Sequence, residues 1–242
     1  MSGTDLLLHG FAGTGRSWDP VIQAAGAPHW RPNAPDLPGH GAGGPVAPGA
    51  VPGLAAALAG EFGPVGTLAG YSMGGRIALQ MALDHPGCAQ RLVLVSMSPG
   101  IEDPAERARR SEADDELAAR FDQASPDELA DLWLSGPLFA GDGPEVQELA
   151  REQIRACEPA GLAAALRELG PGRMEPLWGR LPELRVPVTV VTGERDARYR
   201  KIGERVAAIV PNAEVVVISG AGHALPRAAP GELASLIAPA SG

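Results

Sequence analysis

Residues 65–83 read VGTLAGYSMGGRIALQMAL, and the break at Ser72 in that run decides the fold. Val65–Tyr71 is a short apolar run of the kind that forms a buried strand. From Met73 to Leu83 the period changes, with Ile77, Ala78, Met81 and Ala82 at helical spacing. Between them stands Gly70-Tyr71-Ser72-Met73-Gly74, a G-x-S-x-G followed by Gly75. Small residues on both sides of Ser72 permit a sharp strand-to-helix turn that lifts the hydroxyl off the sheet edge. The helix that follows offers free N–H groups and a partial positive charge. In a strand–turn–helix setting the motif predicts a nucleophile elbow.

Working outward, other strands and loops fall into place around it. Asp5–His9 is an apolar strand running into His9-Gly10-Phe11, a loop that can aim the Phe11 N–H at an oxyanion, with the Met73 N–H as second donor. Ser17 is the expected cap of a helix from Trp18. Trp30–Asp36 reads as a weaker strand ending in the loop DLPGHGAGG. Helices are expected over Val51–Phe62, Ala197–Ile209 and Glu232–Pro239, and strands over Arg91–Met97, Val186–Thr192 and Ala213–Ser219. The stretch Glu102–Arg180 is charged and helix-rich, with no convincing strand. Alternating strands and helices interrupted once predict an α/β fold of about six mostly parallel strands. The expected division is a core of residues 1–98 and 181–242 with a helical cap inserted at 99–180.

A serine nucleophile needs a base, and the base needs an orienting carboxylate. His223, in GAGH just past the last strand, is the best placed of the five histidines. Glu194 and Asp196 both lie in GERD after the preceding strand, and Asp196 falls on the loop proper. The expected triad is therefore Ser72, Asp196 and His223, in the chain order of α/β-hydrolases.

Composition bounds the partners. Hydrophobic residues make up 45% of the 242, enough for a full core. Lys+Arg 20 against Asp+Glu 29 leaves a net charge of −9, which argues against nucleic acid or an anionic membrane as partner. No run approaches the about 18 apolar residues of a membrane span. The start MSGTDLLLHG has no basic region and long apolar stretch of a secretory signal. Cys88 and Cys157 have no metal-ligand spacing and read as buried thiols. The expectation is a cytoplasmic monomer or homodimer without cofactor or metal.

Taken in order, HGF, DLPGHG, GYSMGGR, GERD and GAGH resemble the α/β-hydrolase superfamily over the whole chain. GYSMGGRIAL, the segment SPGIEDPAERARRSEADDELAARF, Leu132–Phe139 and PLWGRLPELRVPV resemble one branch of it. That branch is the MenH-type family of menaquinone biosynthesis, the 2-succinyl-6-hydroxy-2,4-cyclohexadiene-1-carboxylate synthases. The resemblance implies a lyase that eliminates pyruvate from a succinylated enolpyruvyl cyclohexene dicarboxylate. It also implies that Tyr71, Trp133 and Phe139 line the pocket and that Arg110 and Arg155 hold substrate carboxylates. A polyanion of that kind calls for cations inside an acidic protein, preferably arginines. Arg76, four residues after Ser72, can share the nucleophile's side of the helix. The alternative reading is a serine carboxylesterase or thioesterase that uses the same triad for acyl transfer to or from a small ester.

Overall fold

The computed structural model describes residues 4–239. The outermost residues of the expected core, 1–3 and 240–242, lie outside the described residues. Five parallel strands form one sheet in sequence order: β1 (Leu6–Leu8), β2 (Val65–Tyr71), β3 (Ala89–Val95), β4 (Val188–Gly193) and β5 (Ala213–Ile218). Successive side chains of a strand point to opposite faces, so each strand feeds two cores. Leu6, Leu8, Leu68, Leu92, Leu94, Val188 and Val190 point to one face. There they meet α2 (Ala50–Phe62), α3 (Met73–Asp84) and α8 (Ala197–Ile209) through Leu58, Ile77, Met81 and Val206. Leu7, Ala69, Tyr71, Val93, Val95 and Val191 point to the other. That face is covered by α1 (Asp19–Ala24), α9 (Leu225–Ala228) and α10 (Pro230–Ile237) through Val21, Leu225, Leu233 and Ile237. Burial on both faces is why β1 to β4 read as near-continuous aliphatic runs rather than alternating ones.

The sheet has five strands where the sequence predicts about six. The missing one is the Trp30–Asp36 segment, which contributes a single bridge, Asn33 beside Leu6. Leu7 N–H donates to Asn33 O at 2.8 Å and Asn33 N–H donates to Asp5 O at 2.7 Å. Pro32 and Pro35 flank Asn33, and neither has an N–H to extend the ladder. Ser17 also departs from expectation. Residues Gly15–Trp18 form a 3-10 turn ahead of α1, and the Ser17 hydroxyl accepts from Thr14 N–H at 3.3 Å instead of capping a helix that starts after it.

Between β3 and β4 stand four helices, α4 (Pro104–Phe121), α5 (Pro126–Leu134), α6 (Pro144–Arg155) and α7 (Pro159–Leu169). No strand occurs between Ser96 and Pro187. Asp103 starts α4 by accepting from Glu106 N–H at 2.7 Å, and Ser125 and Glu128 form a reciprocal cap on α5. The block has its own apolar cluster, including Phe121, Leu129, Leu134, Phe139, Ile154, Leu162 and Leu166. Ala12 and Phe11, from the loop after β1, pack against that cluster, so the block sits over the carboxyl ends of the strands. Among the described residues no helix is long and apolar enough to cross a membrane.

Candidate active site

The carboxyl end of β2 delivers Ser72 on a backbone few residues adopt, φ +50° and ψ −107°. Such a conformation costs on the order of 1–3 kcal/mol and persists only where its surroundings hold it. Ser72 N–H is tied to Val95 O at 2.9 Å, and α3 begins at the next residue. Gly74 lets the helix start this close to β1, because a Cβ there would run into the carbonyl oxygens of Leu8 and His9.

His223 sits in the connection between β5 and α9, and Asp196 follows β4. The Ser72 hydroxyl donates to His223 Nε2 at 3.2 Å, and the His223 Nδ1–H donates to Asp196 Oδ2 at 2.6 Å. The second Asp196 oxygen accepts from Tyr199 N–H at 3.3 Å, which fixes the carboxylate plane. Both side chains are under a tenth exposed, so the carboxylate and imidazole face each other in a poorly solvated setting. Glu194 is turned away to the surface. It accepts from Gly220 N–H at 2.8 Å and Ser219 Oγ at 3.1 Å, and these bonds hold its carboxyl below the usual range. Its work is to brace the turn that leads to His223.

Phe11 and Met73 follow β1 and Ser72, and neither N–H donates to a protein acceptor among the described residues. Gly10 allows that approach, since a Cβ there would stand 2.7 Å from the Tyr71 ring. Two buried histidines stiffen the same loop. His9 Nε2 accepts from Leu37 N–H at 2.9 Å while its Nδ1–H donates to Gly10 O at 2.8 Å. His40 Nδ1–H donates to Pro38 O at 3.0 Å, and its ring stands edge-on to Phe11, 5.3 Å between centroids. Burial pushes their pKa values down to about 4 and about 3, so both are neutral fixtures at neutral pH.

Aromatic rings gather beside His223, the partner of Ser72. Tyr71 lies 5.5 Å and Phe139 6.4 Å from the His223 ring, centroid to centroid. Trp133 bridges Phe139 at 5.9 Å and Phe11 at 4.7 Å. Tyr71, Trp133 and Phe139 are thus brought together with Ser72, His223 and Asp196.

The three arginines fare differently. Arg76 is buried under the helical block, where its Nη1 donates to Leu169 O at 2.7 Å and approaches Met174 Sδ at 3.6 Å. Burial pulls its pKa down to about 10, which leaves it a cation at neutral pH. Arg110 pairs through Nε with Asp114 Oδ1 at 2.9 Å and lies close enough to Arg76 for the two charges to repel. Asp114 is buried, which raises its carboxyl, and the arginines oppose that. One carboxylate therefore faces two guanidinium groups, a local surplus of positive charge in an acidic chain. Arg155 is not part of this. It lies on the outer face of α6, bonded to Asp127 at 2.7 Å and Glu148 at 3.5 Å, and the structure does not bring it to Ser72. Inward positions on that helix are taken by Ala150, Ile154 and the half-buried Gln153. Gln153 in turn meets Arg227, a residue the sequence reading passed over, at 3.3 Å. Its one signal was its place four residues after His223.

The alpha/beta hydrolase family model matches residues 6–236. Protein PHYLLO of Arabidopsis thaliana is 30% identical over 91% of this chain, which spans 14% of that protein. A putative 2-succinyl-6-hydroxy-2,4-cyclohexadiene-1-carboxylate synthase of Bacillus subtilis is 32% identical over 64% of this chain, and the match spans 58% of the relative. The 2-succinyl-6-hydroxy-2,4-cyclohexadiene-1-carboxylate synthase of Enterobacter sp. (strain 638) is 30% identical over 96% of this chain and 89% of the relative. The solved structure of MenH from S. aureus superposes with a TM-score of 0.86 at 30% identity, covering 98% of this chain and 92% of that one. With a family match over residues 6–236, this sheet and this strand-to-helix serine, the chain belongs to the alpha/beta hydrolase family.

Proposed function

We propose that this chain is a carbon–oxygen lyase that eliminates pyruvate from a succinylated enolpyruvyl cyclohexene dicarboxylate, leaving 2-succinyl-6-hydroxy-2,4-cyclohexadiene-1-carboxylate. The observation that carries the reading is Arg76: a buried guanidinium one helical turn after Ser72, hydrogen-bonded among the described residues to neutral partners alone, and sharing the one nearby carboxylate, Asp114, with Arg110. Burying two cations against one carboxylate is costly, and an anionic substrate repays that cost. An enzyme for neutral esters has no use for the charge. The names of the relatives above support the same choice.

The chemistry follows from the placement of groups. The 99–180 block serves as a cap, and Arg76 and Arg110 fix substrate carboxylates beneath it so that a ring C–H points at Ser72. His223, oriented by Asp196, takes the Ser72 hydroxyl proton, and the Ser72 oxygen takes the ring proton. Negative charge moves onto the conjugated carbonyl oxygen, where the Phe11 and Met73 N–H groups receive it. That charge then returns to form the ring double bond as the carbon–oxygen bond breaks, and the leaving enolate takes a proton to become pyruvate. No acyl-enzyme forms.

The test is a side-by-side comparison of pyruvate release from the cyclohexene substrate and hydrolysis of short p-nitrophenyl esters. The reading expects pyruvate release to have the larger kcat/KM. Fast ester turnover with no pyruvate overturns it and leaves a serine esterase.

A further inference from the structure

The outward turn of Arg155 leaves the inner surface of α6 to Gln153, and Gln153 leads to another cation. Its Oε1 accepts from Ser17 Oγ at 2.7 Å and from Arg227 Nη1 at 3.3 Å. Arg227 stands on α9, one turn beyond the catalytic histidine of the proposed mechanism. Its setting differs from that of Arg155, which pairs at the surface with two carboxylates. Among the described residues Arg227 forms no ion pair, and its Nε is buried with no hydrogen-bond partner. Its one protein acceptor is a neutral amide oxygen at long range, already engaged by a serine hydroxyl.

Two neighbours mark where this charge falls. Burial pushes the Tyr71 phenol well above its usual value, and Arg227 pulls it back. Burial also raises the Asp142 carboxyl, which Arg227 and then His223 lower. Tyr71 precedes the nucleophile. Asp142, in the turn before α6, has Oδ1 3.3 Å from the place a Cβ of Gly222 would take, beside His223. The guanidinium therefore lies on the His223 side of Ser72, where α9 meets α6 through Gln153. Arg76 and Arg110 hold the other side, under α7 and α4.

With Nη1 engaged by Gln153, the edge left over is Nε–H with Nη2–H. Those two parallel donors match the two oxygens of a carboxylate. We infer that Arg227 is a further carboxylate anchor of the substrate, receiving one carboxylate on its Nε–Nη2 edge while Gln153 holds Nη1. The inference rests on the lyase reading and deepens it: a substrate with several carboxylates is gripped from both sides of Ser72. Nε is covered in this structure, so the carboxylate reaches that edge only with a small local shift of the side chain or its neighbours.

The test is steady-state pyruvate release by the full-length protein and by Arg227→Gln and Arg227→Lys, with thermal unfolding of each. Loss of a charge-assisted contact should raise KM about 10- to 100-fold in Arg227→Gln. The kcat should stay within about threefold, as for an anchor gripping substrate and transition state alike. Arg227→Lys keeps the charge without the fork and should fall between the two. Were Arg227→Gln to unfold, Arg227→Lys decides, with a raised KM at near-constant kcat expected. A KM within about twofold of the unaltered protein in both variants, or a loss confined to kcat, overturns the inference. No pyruvate from the unaltered protein sinks the lyase reading and the anchor together. Pyruvate from it with an unmoved KM in the variants sinks the anchor alone.

Discussion

Replacing Arg76 by Met removes the cation, keeps the aliphatic volume and separates binding from folding. Two terms act on stability in opposite directions. The 2.7 Å bond to Leu169 O at the end of α7 is lost, which costs about 1–3 kcal/mol. The desolvation of a buried guanidinium is lifted at the same time, which returns a similar amount. The net change should stay within about 2 kcal/mol, a shift of the unfolding midpoint of less than about 8 °C for a domain this size. Turnover has no such offset. The variant loses its charge-assisted contact to a substrate carboxylate, worth about 1.5–3 kcal/mol. That lowers kcat/KM for pyruvate release by about 10- to 100-fold. A folded Arg76→Met with kcat/KM within about twofold of the unaltered protein would falsify the carboxylate role of this residue.

Other outcomes follow from the geometry. Asp196→Asn should cut kcat by about four orders of magnitude, because the His223 Nδ1–H loses its ionic acceptor and its tautomer. Glu194→Gln, on the surface turn, should change pyruvate release by less than about threefold, and the opposite ranking would reassign the acid. Gly74→Ala should yield little folded protein, since its methyl meets the carbonyls of Leu8 and His9, and a normal unfolding midpoint would contradict the packing described. Stability should fall as pH drops from about 6.5 toward 4. In that window the unfolded chain binds protons at His9 and His40 that the folded state, with both pKa values depressed by burial, does not. His9 alone accounts for about 3 kcal/mol over that range, so urea midpoints that are flat between pH 7 and 4 would refute its buried, neutral state.

The elbow was legible because everything that makes it is local: a strand pattern, a helix pattern and the glycines between them. Asp196 was separable from Glu194 for a related reason, its place on the loop rather than at the strand end. The sixth strand shows where pattern reading fails. Trp30–Asp36 stands where a strand would precede the DLPGHG loop, but Pro32 and Pro35 remove the N–H groups a ladder needs, and one bridge at Asn33 is what remains. The arginines needed tertiary information. Arg151, Gln153 and Arg155 stand within five residues on α6, and only the packing of Ala150 and Ile154 decides which of them turns inward. Arg227 was hidden for a different reason. It sits on a four-residue helix too short for a periodic signal, and its meaning depends on Gln153, which is distant in sequence.

The central claim is that Ser72 works as a base in an elimination and never as a nucleophile. The most direct measurement stops the unaltered protein in mid-turnover of the cyclohexene substrate, counts the pyruvate formed and weighs the protein. The account predicts one pyruvate for each substrate consumed and a protein of unchanged mass. A protein carrying an acyl group on Ser72, with no pyruvate in solution, would contradict it.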